Sequence, residues 1–439
     1  MAKIQDKDWR YFYFKIYVDF MFKLAYRRIE FHGEKKIPRD GAIIFAPNHT
    51  NTLMDALAVL AFNKMSKVFA TRADIFKHPT ILKFFTFLKM LPIIRKRDGI
   101  SNLAKNEEIN SIAVDVLQDK VPFCILPEGT HRAKHSLMIL QKGIFRIALQ
   151  ANDTFGNKMP VYIVPVGIEF GHFFRYRSTL LVQMGEPINV TQFVSDHPEL
   201  TVPQKQINAL REELSDRIKE VILHIPDDAN YNATWAIARL FCNERQRQLG
   251  LSENALINRF TATKMTITAV TDLLQTNQQE MQELLEKADA FHRQRQAYGI
   301  GMKSVLKSHL RWSLLSETAL LILGCPYFIF AAFVTSPVTI LFAWISAKIE
   351  DKAFHNSLQY MLSLALLPVL LLLFSIIVVI VFSWIWGLVF ALLFMPTFFF
   401  FHDYNRLIRC AKSDMRWLFH KDLRAQFEII KHKLSLLIQ

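Results

Sequence analysis

Over the first half of the chain, short apolar runs bounded by turn residues alternate with stretches of helical period; the second half gives way to two long uncharged stretches. Residues 29–33 read as a short strand entering a turn, and 37–41 as a second turn. Ala42-Ile43-Ile44-Phe45-Ala46 is an apolar run of strand length. Further strands are predicted at 68–70, 91–94, 122–126, 161–170 and 179–184, with helices over 79–91, 107–118, 143–150 and 204–223. Alternating strands and helices predict an α/β domain around one sheet, covering 29–226. Ahead of it, in residues 1–28, a helix over 9–27 mixes aromatics with Lys and Arg. Such a helix suits either a membrane interface or packing on its own domain. Residues 227–312 hold almost no strand pattern and predict a helical region, with one long helix over 276–296 and a solvated charged face.

The apolar stretches define a membrane region over 313–401. Residues 318–347 carry no charge but contain Pro326 and Pro337. Residues 358–401 carry none either, and as one helix would extend ~66 Å against a hydrocarbon core of ~30 Å. They are expected to form two spans with a turn near 384–387, while 318–347 dips in and returns as a proline-broken segment. Lys303, Lys307 and Arg311 precede the region; Arg406, Arg409, Lys412, Arg416, Lys421 and Arg424 follow it. Positive charge on both flanks predicts that both face the cytosol, with 402–439 as a basic cytoplasmic tail. The expectation is an integral membrane protein with its N-terminal domain on the cytoplasmic side.

Composition narrows the partners. Hydrophobic residues make up 51% of the 439, and 37 are Phe. The formal net charge of +14 favours anionic partners. Beside apolar spans, those are lipid headgroups and phosphates rather than nucleic acid. Cys124, Cys242, Cys325 and Cys410 are scattered, which fits neither a disulfide framework nor a zinc module. Lys3, Asp6, Lys7, Asp8 and Arg10 interrupt any apolar core that a signal peptide would need.

Candidate chemistry concentrates in a few places. His49 stands just ahead of an apolar helical run, with Asp55 six positions on. Histidine is the side chain suited to proton transfer near neutral pH, and a carboxylate partner fixes its tautomer. Six positions on one helix are about 240° apart around the axis, so the two meet only if His49 lies in the loop and Asp55 in the first turn. Asn51 or Thr52 is then the expected N-cap. A loop histidine bonded to backbone, with Asp55 complementing the helix dipole, is the alternative. Glu128-Gly129 follow a buried strand; glycine permits a tight turn there, and the carboxylate could orient a hydroxyl or anchor a cation. Arg95-Lys96-Arg97 emerge from an apolar run, and Arg95 is the candidate phosphate contact. His131 and His135, four apart and near Glu128, find no further strong ligand at ordered spacing, so no metal site is expected. The chain carries no G-x-S-x-G elbow, Walker loop or dinucleotide fingerprint. A histidine base without a Ser or Cys nucleophile should act directly on an acceptor hydroxyl.

These residues resemble the glycerolipid acyltransferase superfamily, the enzymes that acylate glycerol phosphate and lysophosphatidate. Asn48–Asp55 resembles its N-H-x-S-x-x-D block; 91–95 its apolar stretch ending in arginine; Leu126–His131 its F-P-E-G-T-R block; Val164-Pro165-Val166 its V-P-V strand. The His-to-Asp gap is one residue longer here, and His131 stands where arginine is usual, with Arg132 one place on. The longer gap and the C-terminal membrane segments look most like the fungal-type glycerol-3-phosphate/dihydroxyacetone-phosphate acyltransferases and their bacterial relatives. The resemblance implies an acyltransferase-type mixed sheet flanked by helices. It implies acyl transfer from a thioester to a glycerol hydroxyl, with His49 as general base and Asp55 as its partner. Glu128, Gly129 and Thr130 would help bind the acceptor, Arg95 its phosphate, and Arg132 would replace the arginine missing at 131. Backbone N–H groups near Asn51 would stabilise the oxyanion. No cofactor is implied beyond acyl-CoA or acyl-carrier protein as co-substrate. The acceptor stays open between glycerol 3-phosphate, dihydroxyacetone phosphate and a lysolipid, and a non-catalytic membrane scaffold is the remaining alternative.

Overall fold

The computed structural model describes residues 3–73, 79–93 and 103–437. An eight-stranded mixed sheet organises the N-terminal region. Its strands are β1 (Tyr26–His32), β2 (Ala42–Pro47), β3 (Val68–Arg72), β4 (Met90–Ile93), β5 (Phe123–Cys124), β6 (Val161–Phe170), β7 (Ser178–Met184) and β8 (Ile188–Asn189). They lie in the order β1-β7-β6-β2-β5-β3-β4, with β8 also on β6. β2 runs parallel to both β5 and β6, while β7 and β8 run antiparallel to β6. All of β2 is buried, which is why Ala-Ile-Ile-Phe-Ala-Pro reads as an unbroken apolar run rather than an alternating one.

The helices here are α1 (Trp9–Leu24), α2 (Leu53–Ala61), α3 (Pro79–Phe87), α4 (Leu103–Gln118), α5 (Gly143–Phe155), α6 (Val190–Asp196) and α7 (Pro203–Val221). Ile44, Val161 and Ile163 of the sheet share a core with Val116 and Leu117 of α4, Phe145 and Ala148 of α5, and Leu210 and Leu214 of α7. Phe145 is wholly buried, and such burial stabilises by about 2–3 kcal/mol. α1 divides its faces: Tyr11, Val18, Met21 and Phe22 are buried, while Trp9, Phe12, Tyr13, Ile16 and Phe20 are exposed.

The chain divides into two compact units: Met1–Ile222 with Asp351–Tyr360, and Leu223–Glu350 with Met361–Gln439. The remaining helices are α8 (Tyr231–Gln248), α9 (Leu256–Thr276), α10 (Gln278–Ala297), α11 (Met302–Val305), α12 (Leu310–Ser346), α13 (Ala353–Val381), α14 (Trp384–Phe419) and α15 (Lys421–Leu437). The long helix expected over 276–296 is α10, parted from α9 at Asn277, whose backbone leaves the helical region.

Two expectations from the sequence are corrected. Residues 318–347 do not dip and return: α12 runs unbroken through Pro326 and Pro337. Proline removes the N–H that would bond the carbonyl four residues back, which for Pro337 is that of Phe333. Ser336 Oγ donates to that carbonyl at 2.7 Å and so replaces the missing bond. α12, α13 and α14 are therefore three helices long and apolar enough to cross a membrane. The break between α13 and α14 falls at Phe382-Ser383, just before the expected turn. Nor is 402–439 a tail. Trp417, Leu423, Phe427, Ile430 and Leu434 share a core with Phe241 of α8 and Leu284, Leu285 and Phe291 of α10. α15 has apolar residues at helical spacing among its charges, and that stripe packs inward.

Candidate active site

The turn from β2 into α2 is held from three sides. Asn48 accepts from the Ile168 N–H at 2.7 Å and donates Nδ2–H to the Ile168 carbonyl at 3.2 Å, fastening the turn to β6. The His49 N–H donates to Glu128 Oε1 at 2.6 Å. The His49 carbonyl accepts from the Arg132 N–H at 3.1 Å. Thr52, just before α2, has φ +46°, a conformation unfavourable for a β-branched residue. Its hydroxyl bonds Ser357 Oγ at 2.6 Å, so the strained residue is tied down by segment 351–360.

Asp55 lies in the first turn of α2, completely buried. One of its oxygens, Oδ2, accepts three hydrogen bonds: from His49 Nδ1–H at 2.8 Å, Thr50 N–H at 2.9 Å and Asn51 N–H at 2.7 Å. A carboxylate can only accept, so Nδ1 carries the ring proton and Nε2 is left as the basic nitrogen. The same three bonds narrow one expectation. The Thr50 and Asn51 N–H groups are occupied by Asp55 and do not face a developing oxyanion. Asp55, rather than the side chain of Asn51 or Thr52, satisfies the N–H groups ahead of α2.

Glu128 sits in the loop after β5, buried, and bridges two backbone segments. While Oε1 holds the His49 N–H, Oε2 accepts from the Met138 N–H at 3.0 Å. Burial pushes its carboxyl up to about 7, against the opposing pull of these two N–H bonds and the nearby His49. Gly129 has φ +69°, and a Cβ there would stand 2.9 Å from Gln141 Cγ. Thr130 is exposed. Arg132 joins the site through its backbone, and its Nη2 donates to the Ser136 carbonyl at 3.4 Å. Arg95, with Lys96 and Arg97, lies outside the described residues. The structure thus brings His49, Asp55, Glu128 and the Arg132 backbone together, and leaves the Thr130 side chain outside that network.

His131 and His135 part company. His135 Nδ1 meets Glu169 Oε2 at 3.1 Å, with both residues nearly buried. The His131 ring lies edge-on to His49, centroids 5.6 Å apart, and Nε2 bonds Asp351 at 2.8 Å. Among the described residues, no cluster of His, Cys, Asp or Glu is arranged to hold a metal ion.

The acyltransferase family model matches residues 28–169, the span that contains every one of these site residues except Asp351 and Ser357. Residues 28–169 are thus of acyltransferase type. Over 136 residues, 31% of the chain, the protein is 25% identical to glycerol-3-phosphate O-acyltransferase 1 of Saccharomyces cerevisiae. The chain spans only 18% of the length of that yeast protein. A solved structure, the 1-acyl-sn-glycerophosphate acyltransferase PlsC of Thermotoga maritima, is 18% identical with a TM-score of 0.34. That likeness covers 47% of the chain and 76% of PlsC.

Asp351, Phe354 and Ser357 were missed from sequence because they lie inside the apolar C-terminal region. A signal was there: Asp351 to Tyr360 is a polar interruption between apolar stretches, and Asn356, Ser357 and Gln359 are buried.

Proposed function

We propose that the chain is a membrane-bound O-acyltransferase that moves a fatty acyl group from a thioester to the hydroxyl of glycerol 3-phosphate or dihydroxyacetone phosphate. One observation carries this reading: His49 Nδ1–H is held by a fully buried Asp55, which leaves Nε2 as a base in a domain of acyltransferase type. Nε2 takes the acceptor hydroxyl proton while the oxygen attacks the thioester carbonyl. The C–O bond forms, the C–S bond breaks, and the imidazolium returns the proton to the departing thiolate. Asp55 stabilises the imidazolium between these steps. Glu128 holds the His49 backbone in place, and Arg95 and Arg132 are the candidate contacts for acceptor phosphate. Coenzyme A and acyl-carrier protein both fit the thioester requirement.

The membrane setting is supported by the three long apolar helices. Basic residues at 303–311, on the flank that leads into the apolar helices, favour the cytoplasmic side for the catalytic domain. The identity shared with the yeast enzyme supports a glycerol phosphate acceptor over a lysolipid. Purified full-length protein in detergent, given a labelled acyl thioester, tests this against glycerol 3-phosphate, dihydroxyacetone phosphate and lysophosphatidate in parallel. Label in the first or second acceptor is expected. Label in lysophosphatidate alone would replace this reading with lysolipid acylation, and label in none would remove the activity.

A further inference from the structure

Segment 351–360 is distant in sequence from the acyltransferase domain yet packs within the same compact unit. It is fixed at several points. Ser357 Oγ bonds Thr52 Oγ1 at 2.6 Å, and the Ala353 carbonyl accepts from Thr52 Oγ1 at 3.4 Å. Tyr360 donates its hydroxyl to the Val18 carbonyl at 2.9 Å. Asn356, Ser357, Gln359 and Tyr360 are all buried, so these first turns of α13 are packed domain structure rather than surface.

From this anchored segment two residues reach one ring. Asp351 Oδ2 accepts from His131 Nε2–H at 2.8 Å, and Phe354 lies edge-on to the ring, centroids 5.2 Å apart. On its other contact the ring meets His49 at 5.6 Å. An imidazole has two nitrogens, and with Nε2 committed to Asp351 only Nδ1 is left to meet a ligand. Asp351 therefore sets how His131 is presented beside the catalytic histidine. A guanidinium at this position would carry five donors and depend far less on being oriented.

We propose that Asp351 is a positioning residue acting through His131 on the binding of a phosphorylated acceptor, so that segment 351–360 is a wall of the acyl-transfer site. The proposal rests on the acyltransferase reading above and names residues outside the span that the family model matches.

The test uses the full-length protein in detergent, with glycerol 3-phosphate as acceptor, measuring KM and kcat together with Kd by calorimetry. D351A and H131A should each raise KM and Kd for the acceptor about fivefold, the scale of one part-exposed hydrogen bond, with kcat and the donor KM unchanged. The double variant should be no worse than either single one, since both remove the same interaction. D351N, which still accepts from Nε2–H, should restore most of the affinity, and H131R should make the site indifferent to D351A. Additive losses, a fall in kcat at constant KM, or no effect of D351A would overturn the proposal. If the wild type binds glycerol 3-phosphate but transfers no acyl group, the activity reading fails while the Kd arm still decides the role of Asp351. If the wild type does not bind glycerol 3-phosphate at all, the proposal is overturned outright.

Discussion

Two histidine–carboxylate pairs stand side by side at this site, and they are built in opposite ways. His49–Asp55 is local: six residues apart, with a fully buried carboxylate that also holds two backbone N–H groups. His131–Asp351 is remote: its partners are 220 residues apart, and the Asp351 side chain is 53% exposed. Both pairs have the same 2.8 Å separation. Distance alone therefore does not rank them. What differs is how much of the fold collapses if the bond is lost. Asp55 organises a turn, whereas Asp351 adjusts one ring.

The largest difference should appear in turnover. H49A is expected to lower kcat with glycerol 3-phosphate by about 10²–10⁴-fold, the usual contribution of a general base. H131A should leave kcat unchanged. Comparable kcat losses in both variants would erase the distinction between a reacting imidazole and a positioning one.

Stability should separate the carboxylates next. D55A strands the Thr50 and Asn51 N–H groups inside the domain and is expected to cost about 3 kcal/mol. D351A removes a part-exposed contact and should cost no more than ~1 kcal/mol. Chemical denaturation of the two variants checks this ranking, and equal losses would contradict it.

Glu128 sharpens the contrast through pH. Its carboxyl is raised from an ordinary 4.5 to about 7 by burial, so the folded protein holds that proton more tightly than the unfolded chain does. Its contribution to stability is thus full below pH ~4.5 and is lost as pH rises through about 7, on the order of 3 kcal/mol across the window. E128Q cannot ionise, so its stability should lose that downward slope, and unfolding midpoints of both proteins between pH 4.5 and 8 measure the difference. Parallel pH curves would show that Glu128 stays ionised throughout. The smallest effect is expected for G129A. Its positive φ disfavours alanine, while the side chain it meets, Gln141, can swing aside. About 1 kcal/mol of stability should be lost, with turnover little altered.

The same contrast explains what could be read from the chain alone. The strand runs at 42–46 and 161–170 announced themselves because a strand covered on both faces must be apolar throughout. His49 and Asp55 were legible because a loop histidine and a first-turn carboxylate fall within one local turn. Their hydrogen-bond accounting was not legible: that Asp55 would occupy the Thr50 and Asn51 N–H groups depends on side-chain direction, which spacing does not fix. Asp351 was hidden for a different reason. Nothing local to His131 demands a partner 220 residues away, and the surrounding hydrophobicity drew attention to the bilayer instead. The prolines of α12 misled for a third reason, since a break was expected where the Ser336 hydroxyl repairs the ladder.

Among the described residues, neither Asp55 nor Glu128 leans on a lysine or arginine; each is balanced chiefly by the dipoles of peptide N–H groups. An incoming anion therefore has no resident counter-ion to evict from them. Added salt should leave this pair of carboxylates in place, and whatever ionic-strength dependence substrate capture shows must originate in other groups.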